Sequence, residues 1–296
     1  MAIMQTIQLR PYHVQLFPFT LIETIMDILI NYADAKYERS RWWNSFTGKH
    51  IAKFDKIYEF HPDDIDTEFS QQHQDILSYK RGNGLWLWKP YFIYRVMKEC
   101  ADDDIIFYCD AGAIFKRGIQ PIKDILTQKN TFFVCDIPLI EENFTKPICF
   151  KKLNCDNDAI KKSNQIIATF FAFKVCNESR SFIKEWLTHC SDLELISPAG
   201  NLDVQSFMGN NFVVHREDQS LFSLLCKKHG YTPHRDISQR GKNPRSYYNP
   251  YYLYSEPQHC SDKYPDILFL HKSPKIGLYT LLKPYLREIY KKIAQR

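Results

Sequence analysis

The 296-residue sequence predicts a single α/β domain with a mainly parallel central sheet and helices on both faces. Short apolar runs alternate along the chain with segments of helical periodicity, which is the order expected of successive strand–helix units. The run Ile105–Cys109 is apolar throughout, as in a parallel strand that is covered on both faces. The sequence contains no internal repeat that would indicate a second domain.

The positions of the elements follow from apolar runs, helix-start signals and glycine stops. Pro62 with two acids after it, and Pro90 after Lys89, are typical of a first helical turn, and Gly230 is typical of a helix end. The predicted strands are Ile28–Tyr32, Lys56–Phe60, 105–109, Thr131–Cys135, Ile166–Val175 and Ile267–Leu270. The predicted helices run from Asp34 to about Ile51, from Pro62, from Lys89 or Pro90, near Ile122–Thr127, over Ser179–Cys190 and over Glu217–His229.

The remaining segments define the limits of the domain and its loops. Residues 1–24 are predicted to form an N-terminal extension, 25–280 the globular domain, and 281–296 a basic amphipathic helix. Residues 141–163 are polar and rich in lysine, which predicts either a mobile loop near the site or a solvated surface loop. Residues 236–265 show little periodicity and predict a long loop.

The composition favours a cytoplasmic protein that binds an anionic ligand. The formal charge is +5 and the basic residues are scattered, which fits a nucleotide better than a nucleic acid. Nine cysteines without metal-ligand spacing predict mostly buried, reduced thiols. Polar residues interrupt the apolar stretch Val14–Ile30, so we expect neither a signal peptide nor a membrane span there.

A lone carboxylate follows the buried strand 105–109. Asp110 comes directly after the strand, and Gly112 follows two residues later. Ligands of open α/β sheets bind beyond the carboxyl ends of the strands, where a carboxylate can hold a divalent cation and a glycine lets a ligand approach the backbone. The sequence therefore predicts a nucleotide-handling site at this end of the strand.

Several segments together resemble a known enzyme family. The segment 81–90, RGNGLWLWKP, followed by 104–112, DIIFYCDAG, resembles the pattern of GT-A-type glycosyltransferases found among bacterial and viral surface-polysaccharide enzymes. The segment 215–220, HREDQS, is similar to a further part of that pattern, and the residues around Asp34 and Tyr37 are similar to the end of the family's first strand. The resemblance covers about 28–272 and implies a single GT-A, Rossmann-like domain that transfers a sugar, of the hexosyltransferase type, from a nucleotide-sugar donor to a glycan or glycolipid acceptor.

The resemblance also implies a divalent metal, Mn²⁺ or Mg²⁺. It implies in addition that the enzyme acts in polysaccharide biosynthesis. Many GT-A enzymes present two aspartates one residue apart, but Gly112 stands in the second position here. Asp110 is therefore the candidate metal ligand, and His271, after a predicted strand, is the candidate that completes the site. Lys272 or Lys275 could reach the diphosphate of the donor.

Further site residues are implied by the same resemblance. Asp218 and Gln219 are the catalytic candidates; Asp218 would act as the general base if the reaction inverts, whereas an ordinary helix cap is the structural alternative. Trp86 and Trp88 could stack on sugar or base, although alternate residues can face opposite ways and one could belong to the core. The candidate donor-binding residues are Asp34, Tyr37, Arg81, Trp86, Trp88, Lys89, Tyr108, Asp110, Ala111, Gly112 and Lys272.

Two other functions remain open from the sequence alone. Because Gly112 replaces a second carboxylate, the chain could be an inactive nucleotide-sugar-binding or scaffold protein. Trp42 and Trp43, with Arg39, Arg41 and Lys49 nearby, could instead bind nucleic acid, although the charge is too scattered to favour this.

The predicted C-terminal helix has an apolar face and five basic residues against one acid. Packing on the domain is the simpler expectation for such a helix. The alternative is a peripheral contact with an anionic membrane, which would bring the site to a lipid-linked acceptor.

Overall fold

A computed structural model of the chain describes residues 24–127, 130–198, 212–248, 254–257, 262–271, 273–274 and 276–277, with single positions at 282, 286 and 290. The predicted N-terminal extension lies almost wholly outside these residues, as do Lys272, Lys275 and most of the predicted C-terminal helix.

The described part of the chain contains nine strands and a set of helices of four to fourteen residues. The strands are β1 (Asp27–Tyr32), β2 (Lys56–Phe60), β3 (Ile105–Cys109), β4 (Ala113–Phe115), β5 (Phe132–Phe133), β6 (Asp136–Ile140), β7 (Asn164–Ile166), β8 (Phe170–Lys174) and β9 (Leu268–Leu270). The α-helices are Glu38–Thr47, Thr67–Gln72, Gln74–Leu77, Trp88–Met97, Gln120–Lys123, Glu141–Phe144, Pro147–Lys152, Asp158–Lys161, Asn177–Cys190, Leu193–Ile196 and Glu217–Lys228. A π-helical turn at Gly48–Ala52 and 3₁₀ turns at Pro62–Asp64 and Pro244–Tyr247 complete the helical elements.

The central sheet has five strands in the order β2-β1-β3-β8-β5. β1 is parallel to both β2 and β3, whereas β8 is antiparallel to its neighbours β3 and β5. Four of the five strands therefore point the same way, and the predicted mainly parallel α/β fold is confirmed. Two short ribbons, β4–β9 and β6–β7, lie beside this sheet.

Both faces of the central sheet are covered, which explains why β3 is buried at every position. Ile106 and Tyr108 belong to a core that includes the helices Trp88–Met97, Asn177–Cys190 and Glu217–Lys228. The alternate residues of β3 belong to a second core on the other face, with the ribbon β4–β9. A strand with two apolar faces carries no alternation, so the uninterrupted apolar run was the correct signal for β3.

The prediction of a mobile or surface loop over 141–163 is wrong. This segment contains three short helices, and Lys146 is buried, with its ammonium donating to the carbonyl oxygens of Glu194 at 2.6 Å and Ser197 at 2.7 Å. Burial of a lysine is tolerated where its donors are satisfied in this way. The polar composition of residues 141–163 therefore gave no indication that this segment is packed.

The predicted strand Ile166–Val175 is in fact two strands. β7 ends at Ile166, and β8 begins at Phe170 in the central sheet. Between them, the amide of Ile167 donates to the carbonyl of Cys135, and the carbonyl of Thr169 accepts from the amide of Asp110. The chain changes sheets here while remaining buried, so hydrophobicity gave no signal of the break.

The described cysteines are all free, and all but Cys176 are buried in the two cores. This agrees with the predicted reduced thiols. In the part of the chain that the structure describes, no helix has the length and apolar content needed to cross a membrane.

Candidate active site

A cleft of about 650 Å³ opens at the carboxyl ends of β1 and β3. The sheet order changes direction at this point, because β2 lies on one side of β1 and β3 on the other. Such a switch point leaves a crevice between two connections that run to opposite faces, and ligands of open α/β sheets bind there. Of the residues predicted to form the site, the cleft is lined by Asp34, Tyr37, Trp86, Trp88, Asp110, Ala111, Gly112 and His271.

The other predicted site residues lie elsewhere. Lys89, Tyr108, Asp218 and Gln219 are buried and are not among the described residues that line the cleft, and Arg81 lies outside that lining as well. Lys272 falls outside the described residues.

Asp110 is held by three groups from different parts of the fold. The Tyr108 hydroxyl donates to Asp110 Oδ1 at 2.6 Å, and the Lys89 ammonium lies 3.6 Å from the same oxygen. The Asp110 amide donates to the carbonyl of Thr169 at 2.8 Å. The carboxylate is thus fixed at the floor of the cleft with about a third of its side chain exposed.

Lys89 carries a positive charge into the buried region behind the cleft. Its ammonium lies 2.7 Å from Asp218 Oδ2 and donates to the carbonyl of Ala168 at 3.2 Å. The two carboxylates beside it raise the pKa of Lys89 against the opposing effect of its burial. In this position the single positive charge offsets one of the two negative charges of Asp110 and Asp218, and it lies closer to Asp218.

Asp218 lies in the first turn of the helix Glu217–Lys228, as predicted. Burial raises the pKa of its carboxyl to about 6, although the neighbouring Lys89 opposes this shift. Trp186 donates its indole N–H to the Asp218 carbonyl at 3.1 Å and so fixes the start of the helix.

Gln219 belongs to a network of buried side chains. Its amide nitrogen donates to Gln165 Oε1 at 2.8 Å, and Arg216 Nη1 donates to the same oxygen at 3.4 Å. Arg216 lines the cleft, so Gln219 and Gln165 support a guanidinium that faces the ligand space.

His271 is held at the rim of the cleft through its backbone. Its amide donates to the Gly112 carbonyl at 2.8 Å, and a Cβ at position 112 would lie 2.8 Å from the His271 carbonyl oxygen. Gln239 pairs with the preceding residue, Leu270, because its side-chain amide both donates to and accepts from that backbone at 2.9 Å. Gly112 is therefore required by the close approach of β9, and no second aspartate would fit there.

The imidazole of His271 has the properties expected of a metal ligand. Both ring nitrogens are buried, and burial lowers the pKa of the ring against the opposing effect of the Ser273 backbone, which keeps it neutral at pH 7. A neutral imidazole and a carboxylate are ligands that Mn²⁺ accepts, and His271 and Asp110 line the same cleft. Among the described residues no three His, Cys, Asp or Glu side chains form a metal-binding cluster, so Asp110 and His271 would supply two protein ligands.

The tryptophan segment forms a left-handed turn. The five consecutive residues 82–86 have φ angles of 60°, 49°, 91°, 54° and 62°. Trp88 closes this turn by donating its indole N–H to the Gly82 carbonyl at 2.8 Å, and its ring stacks on Tyr32 with centroids 3.6 Å apart. Asn83 donates to Asp34 at 3.2 Å, which ties the turn to the end of β1.

Arg81 forms an ion pair with another side chain of the protein and is not positioned to bind phosphate. Its guanidinium donates to Glu217 Oε1 at 2.6 Å and lies 5.5 Å from the centre of the Trp86 ring. Hydrogen bonding to Glu217 raises the pKa of Arg81, and Trp86 is positioned at the cleft by this stacking.

Four cationic residues of the cleft were missed from the sequence as site residues. Lys36, Lys80, Arg216 and Arg240 line it, against the two carboxylates of Asp34 and Asp110. Arg216 lies within the HREDQS segment, so the resemblance of that segment could have identified it as a site residue. Arg240 stacks on Tyr247, with its guanidinium carbon 4.7 Å from the ring centroid. Both residues lie in the segment predicted as a long loop, where no periodicity indicated that a side chain would face the cleft.

No protein-family model matches the sequence, and no curated protein shows detectable sequence similarity to it. Three glycosyltransferases are similar to it in structure. Mouse xyloside xylosyltransferase 1 in its apo form is 10% identical, with 85% of this chain and 99% of that chain covered and a TM-score of 0.45. The galactosyltransferase LgtC in complex with donor and acceptor sugar analogues is 11% identical, with 83% and 87% covered and a TM-score of 0.41. The apo bifunctional glycosyltransferase WbbM is 10% identical, with 69% and 38% covered and a TM-score of 0.38. These likenesses are distant, and the functional assignment depends on the residues of the cleft.

Proposed function

We propose that this chain is a glycosyltransferase that transfers a sugar, of the hexosyl type, from a nucleotide-sugar donor to a glycan or glycolipid acceptor with a divalent cation. The observation that supports this most directly is the composition of the cleft. The carboxylate of Asp110, the buried imidazole of His271 and four cationic side chains line the cleft at the switch point of the sheet. Cationic side chains and a bound metal ion are common means of stabilising a diphosphate leaving group.

The cationic side chains would stabilise the departing nucleoside diphosphate. This leaving group gains negative charge as the bond to the sugar breaks, and preorganised positive groups lower the free energy of that transition state. Arg216 is held in place by Gln165, and Arg240 by stacking on Tyr247. A Mn²⁺ or Mg²⁺ ion held by Asp110 and His271 would add Lewis-acid neutralisation of the diphosphate.

The aromatic side of the cleft suits the nucleoside. Tyr37 and Trp86 provide rings on which a base or sugar can stack, and Asp34 offers a carboxylate to a ribose hydroxyl. Asp34 is oriented for this by the amides of Tyr37 and Asn83.

Asp218 has an electrostatic role in this proposal. Its side chain is only 6% exposed and is paired with Lys89 behind Asp110. A general base must reach the proton it removes, directly or through one water, and this carboxylate is not among the described residues that line the cleft. Asp218 would hold Lys89 and so leave Asp110 free to bind the cation.

Calorimetric titration with UDP- and GDP-sugars, with and without Mn²⁺, tests donor binding. We expect one donor class to bind, more tightly with Mn²⁺, and at 100 times its dissociation constant to stabilise the fold by about 2.7 kcal/mol. Absence of binding by any nucleotide sugar would contradict the proposal. Tight binding without any donor hydrolysis or transfer would support the inactive scaffold instead.

Asp110→Ala tests the assignment of the cation site. We expect donor hydrolysis to fall by at least about 10²-fold, because a fixed charge at the reacting group is lost. Asp158→Ala is the control, since that carboxylate is exposed and forms an ion pair with the exposed Lys162. Near-normal metal-dependent turnover of Asp110→Ala in a folded protein would show that the cation binds elsewhere.

A further inference from the structure

A second pocket lies at the opposite end of the helix Glu217–Lys228 from the cleft. Its volume is about 370 Å³, and the ribbon β6–β7 supplies Asp136 and Asn164 to its lining. Lys227, in the last turn of the helix, lines this pocket, whereas Arg216, directly before the first turn, lines the cleft. At a rise of about 1.5 Å per residue, these two positions are about 16 Å apart along the helix. The two sets of described lining residues have no member in common, so the second pocket is separate from the cleft.

The charge of the second pocket is opposite to that of the cleft. Asp136 and Glu256 place two carboxylates in its lining. Lys227 is the one cation among the described lining residues, and its ammonium is paired with the buried carboxylate of Glu141. A phosphate or a nucleotide would meet like charge here, which is unfavourable. The pocket is therefore unsuited to a second nucleotide-sugar donor and favours a neutral ligand that donates hydrogen bonds.

One hydrogen-bond acceptor of this pocket has no donor. Asn164 Nδ2 donates to Asp136 Oδ2 at 2.9 Å. Because an ionised carboxylate only accepts, this bond fixes the orientation of the amide and leaves Asn164 Oδ1 as the group that needs a donor. That oxygen is buried without a hydrogen-bond partner among the described residues, and leaving an acceptor unpaired in this way costs about 1–3 kcal/mol. A ligand hydroxyl is a group that would supply the missing hydrogen bond.

Apolar side chains form another part of the lining. Tyr231 is fixed by stacking on Phe132, with ring centroids 4.6 Å apart, and by donating its hydroxyl to Glu178 Oε1 at 2.9 Å. Ile166 also lines the pocket and is buried. Apolar walls with a few polar groups that fix orientation are typical of small-molecule sites, and a volume near 370 Å³ is towards the lower limit for such sites. A sugar unit has matching chemistry, because its ring has an apolar carbon face and its edge carries hydroxyl donors.

We propose that the second pocket binds one neutral sugar unit of a glycan. Hydroxyls of this unit donate to Asn164 Oδ1 and to the carboxylate of Glu256, and the carbon face of its ring packs on Tyr231. Binding of the sugar requires neither the nucleotide-sugar donor nor a metal ion. That the bound glycan is also the acceptor extended in the cleft rests on the proposed function, whereas the binding itself does not.

Titration of the full chain with methyl glycosides, observed by saturation-transfer NMR without donor or metal, tests the proposal. The probes are the methyl glycosides of glucose, galactose, mannose and N-acetylglucosamine, and we expect at least one of them to bind. Asn164→Leu should raise the dissociation constant of that glycoside at least about tenfold, because a sugar hydroxyl loses its acceptor. Asn177→Leu, an exposed asparagine at the start of a helix, is the matched control and should bind as the unmodified protein does. Absence of binding by all four glycosides, or equal affinity in the two variants, would overturn the proposal.

Asp110→Ala shows which of the two sites holds the sugar. The change lies in the cleft, so a glycoside bound in the second pocket should keep its affinity. A glycoside that loses affinity in Asp110→Ala and keeps it in Asn164→Leu would be bound in the cleft, and the proposal would be wrong. Failure of every nucleotide sugar to bind, with glycoside binding intact, would reject the proposed function and leave this site in place.

A competition measurement on the unmodified protein removes any dependence on mutant folding. The uronic acid that corresponds to the bound sugar should displace the glycoside at least about tenfold more weakly than the neutral sugar does, because Asp136 and Glu256 repel its carboxylate. Equal displacement by the two sugars would also overturn the proposal.

Discussion

Lys89 controls the charge at the floor of the cleft, although Lys89 itself is buried behind that floor. Its ammonium is shared unequally, at 2.7 Å from Asp218 and 3.6 Å from Asp110. If Asp218 became neutral, the ammonium would be left with Asp110 as its only anionic partner in this group. A cation bound at Asp110 would then compete with an internal one. In the proposed cation site, the ionisation of Asp218 would therefore be coupled to cation binding.

Activity should fall as the pH drops through about 6, the raised pKa of Asp218. Below that pH the protonated carboxyl no longer neutralises Lys89, and the apparent affinity for Mn²⁺ should weaken. A profile of kcat/KM against pH, measured at limiting Mn²⁺, checks this. In Asp218→Asn the acid limb near pH 6 should disappear, and persistence of an unchanged limb would assign it to another group.

The sign of the stability effect of Asp218 is opposite to that of an ordinary salt-bridged acid. Its folded pKa lies above the reference value of 3.8, so the folded state binds the proton more tightly. The stabilising contribution is complete below about pH 4 and is lost as the pH rises to about 6. Asp218 thus costs stability at neutral pH, as groups at functional sites commonly do.

Gln239 should act as a positioning residue for His271. Its side-chain amide makes two hydrogen bonds to the Leu270 backbone, one residue before the imidazole. Gln239→Leu should raise the calorimetric dissociation constant for Mn²⁺ about tenfold, as is typical when the support of a metal ligand is removed. Gln120→Leu, an exposed glutamine on a short helix, is the control. Equal Mn²⁺ affinity in the two variants would show that β9 is rigid without Gln239.

Some of these residues could be predicted from the sequence and others could not. Asp110 and His271 follow strands, so their meeting at one edge of the fold is a consequence of topology. The burial of Lys89 could not be predicted, because a lysine at a helix start usually faces water and its carboxylate partner is far away in the sequence. Arg240 belongs to a segment whose path is fixed only by tertiary contacts.

Among the elements, the left-handed turn 82–86 stores conformational strain. Three of its five residues are not glycine, and each such residue costs about 1–2 kcal/mol in this conformation. The stacking of Trp88 on Tyr32 and the pairing of Arg81 with Glu217 offset that cost. Strain of this kind clusters at functional sites, and here it sets the position of Trp86 in the cleft.

Gly84→Ala should lower the free energy of unfolding by about 3 kcal/mol or more, measured by urea titration. The position has φ of 91°, and a Cβ would lie 2.9 Å from the Leu77 Cα, which is backbone and cannot easily move. Gly230→Ala has a φ of 72° but open space, so it should cost only about 1 kcal/mol. Equal losses in the two variants would mean that the contact with Leu77 relaxes freely.

Three strands of the central sheet were the most predictable elements. The predicted bounds of β2 and β3 agree with the structure, and the predicted start of β1 differs by one residue. The helix predicted from Asp34 to about Ile51 is shorter and passes at Gly48 into a π-helical turn. In the sequence, only the two glycines indicated the left-handed turn, because its other three residues do not intrinsically favour a positive φ.

At the scale of the whole molecule, the ion pair of Glu141 and Lys227 joins distant parts of the chain. Glu141 is fully buried and is contacted by the ammonium of Lys227 and the hydroxyl of Ser223. Its other oxygen accepts from Thr145 at 2.5 Å and from Gln165 at 3.3 Å. Through Gln165 the same network reaches Arg216 in the cleft. The mispredicted segment 141–163 therefore supports the site from behind.

Lys227→Met should destabilise the fold by about 3–5 kcal/mol, because it leaves the buried Glu141 carboxylate without its cation. Lys228→Met is a matched control one residue away. Its partner, Glu185, is partly exposed, so the expected loss is about 0–1 kcal/mol. Urea titration of both variants measures the difference. A small loss in Lys227→Met would show that hydrogen bonds alone satisfy Glu141.

The free cysteines sealed in the two cores give unfolding a chemical consequence. While the fold is intact, burial raises the pKa of thiols such as Cys190 and Cys226 and shields them from oxidants. Once the cores open, the seven described thiols that they bury enter solvent together, and air can link them in pairings that the native chain never makes. Denaturation without a reductant would then become a one-way process, and heat inactivation would be governed by the rate of opening rather than by an equilibrium.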